Sequence, residues 1–238
     1  MRLLMKSGKA YRSTIGVAML TCAIGFPSSA EDVAQKPADF RNVAILVFNG
    51  MDIQDFAGPA DVFFYAQNSE GKAAFKQYAV GKSMNPITSQ GFVKIVPNYT
   101  FADCPKPDIL VIPGGNVNGV TKDEETMKWI KDMGPKSEQV LSVCTGALVL
   151  HSAGFLGGLK ATTHWGSISK LREQAPTTTV LENVRYVDNG QMVTSAGVSA
   201  GIDMSLHIVA KLLGFDTAET VAHRMEYEWK PREEYTKR

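Results

Sequence analysis

The chain has few of the residues that build metal and redox sites. Its 238 residues include three cysteines and four histidines. None of them falls into Cys-x-x-Cys or His-Glu-x-x-His spacing, and the histidines are scattered without ligand spacing, so zinc and dithiol chemistry have no support. There is no Gly-x-Gly-x-x-Gly either, which removes the usual dinucleotide cradle. No metal and no cofactor is therefore expected. An excess of one charge is also missing: 25 basic residues stand against 24 acidic ones, a net charge of +1. Nothing here suggests a nucleic-acid partner. Long hydrophobic runs are absent too. The apolar stretch from Ile15 to Phe26 is about 12 residues, against the roughly 20 a spanning helix needs.

That short stretch has a different meaning. Arg2, Lys6, Lys9 and Arg12 precede it, and Pro27-Ser28-Ser29-Ala30 follows, with small residues where a signal peptidase requires them. Residues 1–30 read as a cleavable signal, cut between Ala30 and Glu31, which places the mature protein in the periplasm or outside the cell. Cys22 lacks the small preceding residue expected of a lipidated cysteine. Losing the four basic residues leaves 21 basic against 24 acidic groups, a net charge of −3. No membrane association is expected after cleavage. Residues 31–40 read as a polar linker, 41–228 as a single domain and 229–238 as a tail. Two cysteines survive cleavage, Cys104 and Cys144. In an oxidising compartment a bridge between them is the bland reading.

Along the domain, apolar runs alternate with helical patterns. Strands are expected at Val43–Phe48, Lys76–Val80, Asp108–Ile112, Gln139–Val143 and Lys160–Thr163. A strand pair around Gly91 spans Ile87–Val96, and a hairpin turns at Asp188-Asn189-Gly190. Helices are expected at Gly58–Gln67, Glu124–Met133, Thr145–Ala153, Gly166–Gln174, Ala200–Leu213 and Thr217–Glu226. This alternation implies an α/β sandwich with a largely parallel sheet, whose sites lie at the carboxyl ends of the strands.

Cys144 falls at one such end, between the apolar run QVLSV and a helix. A sulfur at a strand-to-helix turn meets the first free N–H groups of the helix, which favour a thiolate and can hold a developing negative charge. This is a nucleophile elbow with sulfur in place of the serine oxygen. Asp55, expected in the loop after Val43–Phe48, could stay protonated beside the thiol and supply a proton, or it could simply cap the helix near Gly58. Thr145 would turn both its N–H and its hydroxyl to the site. Gly114 and Gly115 would bring backbone N–H groups close to a bound atom. His164 could tune the thiol or relay a proton, or serve structure alone. Trp165 and Phe56 are pocket walls or ordinary packing, and Asp203 reads as a helix cap.

Asp55-Phe56-Ala57-Gly58-Pro59, Val111-Ile112-Pro113-Gly114-Gly115, Ser142-Val143-Cys144-Thr145-Gly146-Ala147, Ala161-Thr162-Thr163-His164-Trp165 and Ala196-Gly197-Val198-Ser199-Ala200-Gly201 together resemble the ThiJ/PfpI superfamily. The resemblance is to its isonitrile hydratase-like branch, which also holds the amidase-like domains of AraC-type regulators. It implies a class I glutamine amidotransferase-like (flavodoxin-like) fold and a homodimer. It assigns the aspartate, the elbow cysteine and the threonine after it to Asp55, Cys144 and Thr145. Thr145 stands where the PfpI peptidase-like branch has His, which argues against proteolysis. The reaction implied is hydration of a small-molecule isonitrile to an N-substituted formamide. Glyoxalase- or deglycase-like work on carbonyls, and non-catalytic ligand binding or redox sensing through Cys144, are the alternatives.

Overall fold

In the first strand, β1 (Arg41–Leu46), side chains alternate between two buried faces. Ala44 and Leu46 join one apolar cluster and Val43 and Ile45 another, as the two-residue period of a strand requires. The computed structural model describes residues 40–231, so the expected signal peptide with Cys22, most of the linker and residues 232–238 of the tail lie outside the described residues. The described residues belong to one compact unit.

The chain runs from β1 through α1 (Ile53–Tyr65), β2 (Phe75–Gly81), β3 (Ile87–Thr88), β4 (Lys94–Ile95), β5 (Tyr99–Thr100), β6 (Ile109–Ile112) and α2 (Glu124–Met133). It continues through β7 (Gln139–Ser142), α3 (Gly146–Ser152), β8 (Lys160–Ala161), α4 (Ile168–Gln174), β9 (Thr179–Val180), β10 (Tyr186–Asp188), β11 (Met192–Ser195), α5 (Ala200–Leu213) and α6 (Phe215–Arg224). Seven strands form one sheet in the order β10-β11-β7-β6-β1-β2-β5. All its pairings are parallel except the β10–β11 hairpin. Helices α2, α3 and α4 cover one face and α1, α5 and α6 the other. This is the flavodoxin-like sandwich. Buried on both sides, β6 is apolar throughout (ILVI), as a central parallel strand must be.

Several expectations need correction. Helix α1 starts at Ile53, five residues before the expected Gly58, because Asp52 caps it by accepting the Gln54 N–H at 2.9 Å. Pro59, which marks a helix start in most sequences, lies inside this one. Asp55 is therefore neither a loop residue nor the cap; it projects from the first helical turn. The run at Lys160–Thr163 shrinks to β8, which pairs with β9 in a separate two-stranded sheet, so His164 does not end a strand of the main sheet. The last helix begins at Phe215, directly after Gly214 (φ +96°) turns the chain. Asp203 caps nothing; its carboxylate is ion-paired with Arg185 and accepts the Tyr227 hydroxyl at 3.0 Å. Trp229, in the expected tail, stacks on Phe215.

Candidate active site

The site lies at the carboxyl ends of β1, β6, β7 and β11. After β7 the chain turns at Cys144, whose φ of +58° lies in the left-handed region that side chains rarely occupy. Two hydrogen bonds and the helix that follows hold this backbone. The Cys144 N–H donates to the Ala196 carbonyl at 3.1 Å, the Thr163 hydroxyl donates to the Cys144 carbonyl at 2.7 Å, and α3 starts two residues later. Gly146 is obligatory there, since a Cβ would stand 2.2 Å from the Ile112 carbonyl oxygen. The sequence thus builds a rigid elbow, with the Cys144 side chain 7 % exposed.

Asp55 reaches the same point from α1. It has no solvent exposure, and its Oδ2 accepts the Gly114 N–H at 2.8 Å, while Oδ1 has no hydrogen-bond partner. Burial pushes its pKa up to about 7, with the nearby Asp52 charge adding to the rise; the Gly114 N–H, the Cys144 thiol and the Val198 N–H oppose it. The thiol moves the same way. Burial, and then the Asp55 charge, push Cys144 up to about 12 against the lowering effect of the Thr145 and Val198 N–H groups. The expected depression of the thiol by the helix start is therefore outweighed. Desolvation and a facing carboxylate exceed what two backbone N–H groups supply. Asp55 and Cys144 behave as one unit: a negative charge on the carboxylate disfavours the thiolate, and a proton on Asp55 is what frees the sulfur to ionise.

Thr145 and the glycine pair form the third side. The Thr145 hydroxyl accepts from the Gly115 N–H and donates to the Gly115 carbonyl, both at 2.9 Å. The hydroxyl is thereby engaged, and the Gly115 N–H is not a free donor; of Thr145, the N–H is what faces the sulfur. A Cβ on Gly114 would lie 2.6 Å from both the nitrogen and the Oγ1 of Thr145 and 2.9 Å from Asp55 Oδ2. Gly114→Ala is expected to cost about 1–3 kcal/mol of stability by overpacking, and to slow thiol alkylation by a small haloacetamide. Denaturant unfolding alongside alkylation kinetics checks both effects; unchanged values would mean that the site tolerates a methyl group here.

His164 uses its ring locally. Its Nδ1 accepts the Gly166 N–H at 3.2 Å, and its face lies against Gly197, where a Cβ would stand 2.3 Å from Cδ2. Trp165 is 83 % exposed, so it is not core packing; it borders a cavity of about 310 Å³ shared with Thr163, Arg185 and Ala196. Phe56 is half-buried and packs against the core on the α1 side. A larger cavity of about 460 Å³, between Phe48, Lys82, Phe101 and Asn116, is lined by none of the expected site residues.

Sequence reasoning missed Val198. Its N–H lowers the pKa of both Asp55 and Cys144, and its φ of +51° is a conformation that costs a β-branched residue on the order of 1–3 kcal/mol. The signal available was Gly197 beside it, packed without a side chain against His164. Asp52, the helix cap, was also missed.

Cys104 and Cys144 are both free, so the bridge between them is not formed. Cys104 is half-buried, and burial raises its thiol pKa. Among the described residues no group of three or more His, Cys, Asp or Glu side chains could hold a metal ion, and no helix is long and apolar enough to cross a membrane.

The chain that builds this site has relatives. Over 187 residues the chain is 35 % identical to isonitrile hydratase from Pseudomonas putida, covering 78 % of each protein. The crystal structure of a ThiJ/PfpI family protein from Pseudomonas syringae superposes with a TM-score of 0.72 at 32 % identity, covering 89 % of this chain and 85 % of the other. An AraC family transcriptional regulator from Pseudomonas putida shares the fold alone, with a TM-score of 0.68 at 19 % identity over 78 % of this chain and 99 % of the other. The model of the DJ-1/PfpI family matches residues 41–211, most of the described sandwich from β1 into α5, and the chain belongs to that family.

Proposed function

We propose that this protein is an exported, cysteine-dependent hydratase that converts isonitriles to N-substituted formamides. The observation that carries the reading is the buried pair: a carboxyl with a pKa raised to about 7, facing the elbow thiol. Similarity to isonitrile hydratase from Pseudomonas putida supports the substrate class.

The chemistry balances on that pair. The Cys144 sulfur adds to the terminal carbon of R–N≡C while Asp55 delivers a proton to the same carbon, giving the thioimidate R–N=CH–S–Cys. Asp55, now a carboxylate, takes a proton from water as the oxygen adds to that carbon. Asp55 passes that proton to the nitrogen; the C–S bond then breaks as the adduct's hydroxyl gives its proton back to Asp55, releasing R–NH–CHO and returning the thiolate beside the protonated carboxyl. A carboxyl near pKa 7 suits both halves, because it can give and then recover a proton at neutral pH. The Thr145 and Val198 N–H groups stabilise sulfur-centred negative charge before attack and after release. Thr145 serves by locking Gly115 and orienting its own N–H. The reaction uses no cofactor. The mature protein, cleaved after Ala30, acts in the periplasm or outside the cell as a homodimer.

Carbonyl chemistry that relies on a histidine beside the thiol finds less support, since the His164 ring is engaged as a local cap. The test is mass spectrometry of the mature protein quenched during turnover of a simple alkyl isonitrile. The expected result is an adduct equal to the isonitrile mass on the peptide containing Cys144. Formamide production with an adduct elsewhere, or with no covalent intermediate under rapid quench, would overturn the covalent route.

A further inference from the structure

The Val198 N–H can serve the Asp55–Cys144 pair only if something keeps a β-branched residue in the left-handed region. The turn that carries it, residues 196–199, is short and joins β11 to α5. One residue grips it on both sides. Upstream of Val198, the Arg185 carbonyl accepts the Ala196 N–H at 2.9 Å, and the Ala196 carbonyl in turn accepts the Cys144 N–H at 3.1 Å. Downstream, the Arg185 guanidinium donates from Nη2 to Ser199 Oγ at 3.2 Å. It also donates from Nε to Asp203 Oδ2 at 2.8 Å, with a second, shorter contact from Nη2 to the same oxygen. Asp203 lies in the first turn of α5, and the Tyr227 hydroxyl bonds to that oxygen as well. The Arg185 and Asp203 side chains are 19 % and 9 % exposed, so solvent screens this ion pair weakly.

We propose that Arg185 is a positioning residue of the active site, clamping the 196–199 turn from both flanks so that the Ala196 carbonyl holds the Cys144 N–H and the Val198 N–H stays turned toward Cys144 and Asp55. Arg185 touches no reacting atom; it acts through the turn. A planar fork suits the task, because it can hold Ser199 and Asp203 at once, whereas an ammonium on a flexible stem holds one point at a time. The expectation that Asp203 caps a helix is thereby replaced by a function: it is the fixed end of the clamp. The inference rests on the reading of Cys144 as nucleophile with Asp55 as its proton partner. Its test does not need isonitrile turnover, so the two can fail separately.

The experiment compares wild type with Arg185→Met, Arg185→Lys and Ser199→Ala, reading two quantities. The first is the pH dependence of Cys144 alkylation by iodoacetamide. Loss of the Val198 N–H removes a group that lowers both pKa values, so the profile of Arg185→Met moves to higher pH, with Arg185→Lys falling between. The second is steady-state hydration of an alkyl isonitrile, where kcat falls by about ten- to a hundredfold with a smaller change in KM. Ser199→Ala keeps the ion pair and folds even if Arg185→Met does not; it shows the same shift at smaller size. A purely structural arginine would lower the melting temperature and leave the alkylation profile where it is. An unshifted profile in the folded Arg185→Met protein, or in Ser199→Ala where Arg185→Met does not fold, would overturn the proposal.

Discussion

Asp55→Asn is expected to lower isonitrile turnover by about 10²–10⁴-fold while making both the thiol more reactive and the fold more stable above neutral pH. These three effects have one cause. The carboxyl delivers a proton and recovers it, and an amide can do neither, so turnover falls. The Asp55 charge is also one of the forces holding the Cys144 thiol up near 12. Removing it lowers the thiol pKa, so alkylation of the variant at pH 9 runs faster than in wild type. Stability follows from linkage. The folded-state pKa of Asp55 is raised from its ordinary value to about 7, so burial of the neutral acid is fully tolerated below pH 4. Stability is then lost as the pH rises through 7 and the group must ionise in place. A rise of this size corresponds to roughly 4 kcal/mol at most. Asparagine can still accept the Gly114 N–H and never ionises. The stability gap between variant and wild type should therefore be small below pH 4, open between about pH 4 and 7 and stay level above that, as read by denaturant unfolding. A gap that does not change with pH would mean that Asp55 titrates normally.

Removing the nucleophile has the larger effect on activity. Cys144→Ala is expected to reduce formamide formation to the uncatalysed rate, since no other described thiol shares the elbow geometry and Cys104 packs against the opposite helical layer. The same position carries a stability prediction. The φ of +58° at Cys144 is unfavourable for any side chain, so alanine inherits the strain that glycine escapes. Cys144→Gly should be equally inactive and more stable than Cys144→Ala by roughly 1 kcal/mol. Thermal unfolding of the two variants checks this; equal stabilities would mean that the elbow is not strained.

How much of this was legible beforehand depended on the kind of signal. Helices Glu124–Met133 and Ala200–Leu213 were placed to the residue, because a capping Asp123 introduces the first and Gly214 ends the second. The central strands are mostly apolar runs, ILVI stopped by Pro113 and QVLS ahead of the elbow, and they too were readable. Helix α1 was misplaced because Pro59 gives the strongest local signal and is the wrong one; tertiary packing holds it inside a helix that Asp52 starts. The run at Lys160–Thr163 read as a short strand, yet only Lys160 and Ala161 pair, and with β9 alone. At the candidate site, Cys144, Asp55 and Thr145 were singled out from motif and position, and the structure brings them together. Their coupling was not, because a pKa depends on burial and on which charges face one another across different elements. Val198 was missed for a sharper reason. Its contribution is a backbone N–H, and its conformation is one that valine least favours.

Cys144 and Asp55 stand or fall together as the pair that hydrates an isonitrile. The most direct measurement is formamide release from a simple alkyl isonitrile by residues 31–238, beside Cys144→Ala and Asp55→Asn at pH 7. The account predicts turnover by the unsubstituted protein, background rate for the first variant and a loss of about 10²-fold or more for the second. Undiminished turnover in Cys144→Ala, or none in the unsubstituted protein while Cys144 remains a free thiol, would contradict it.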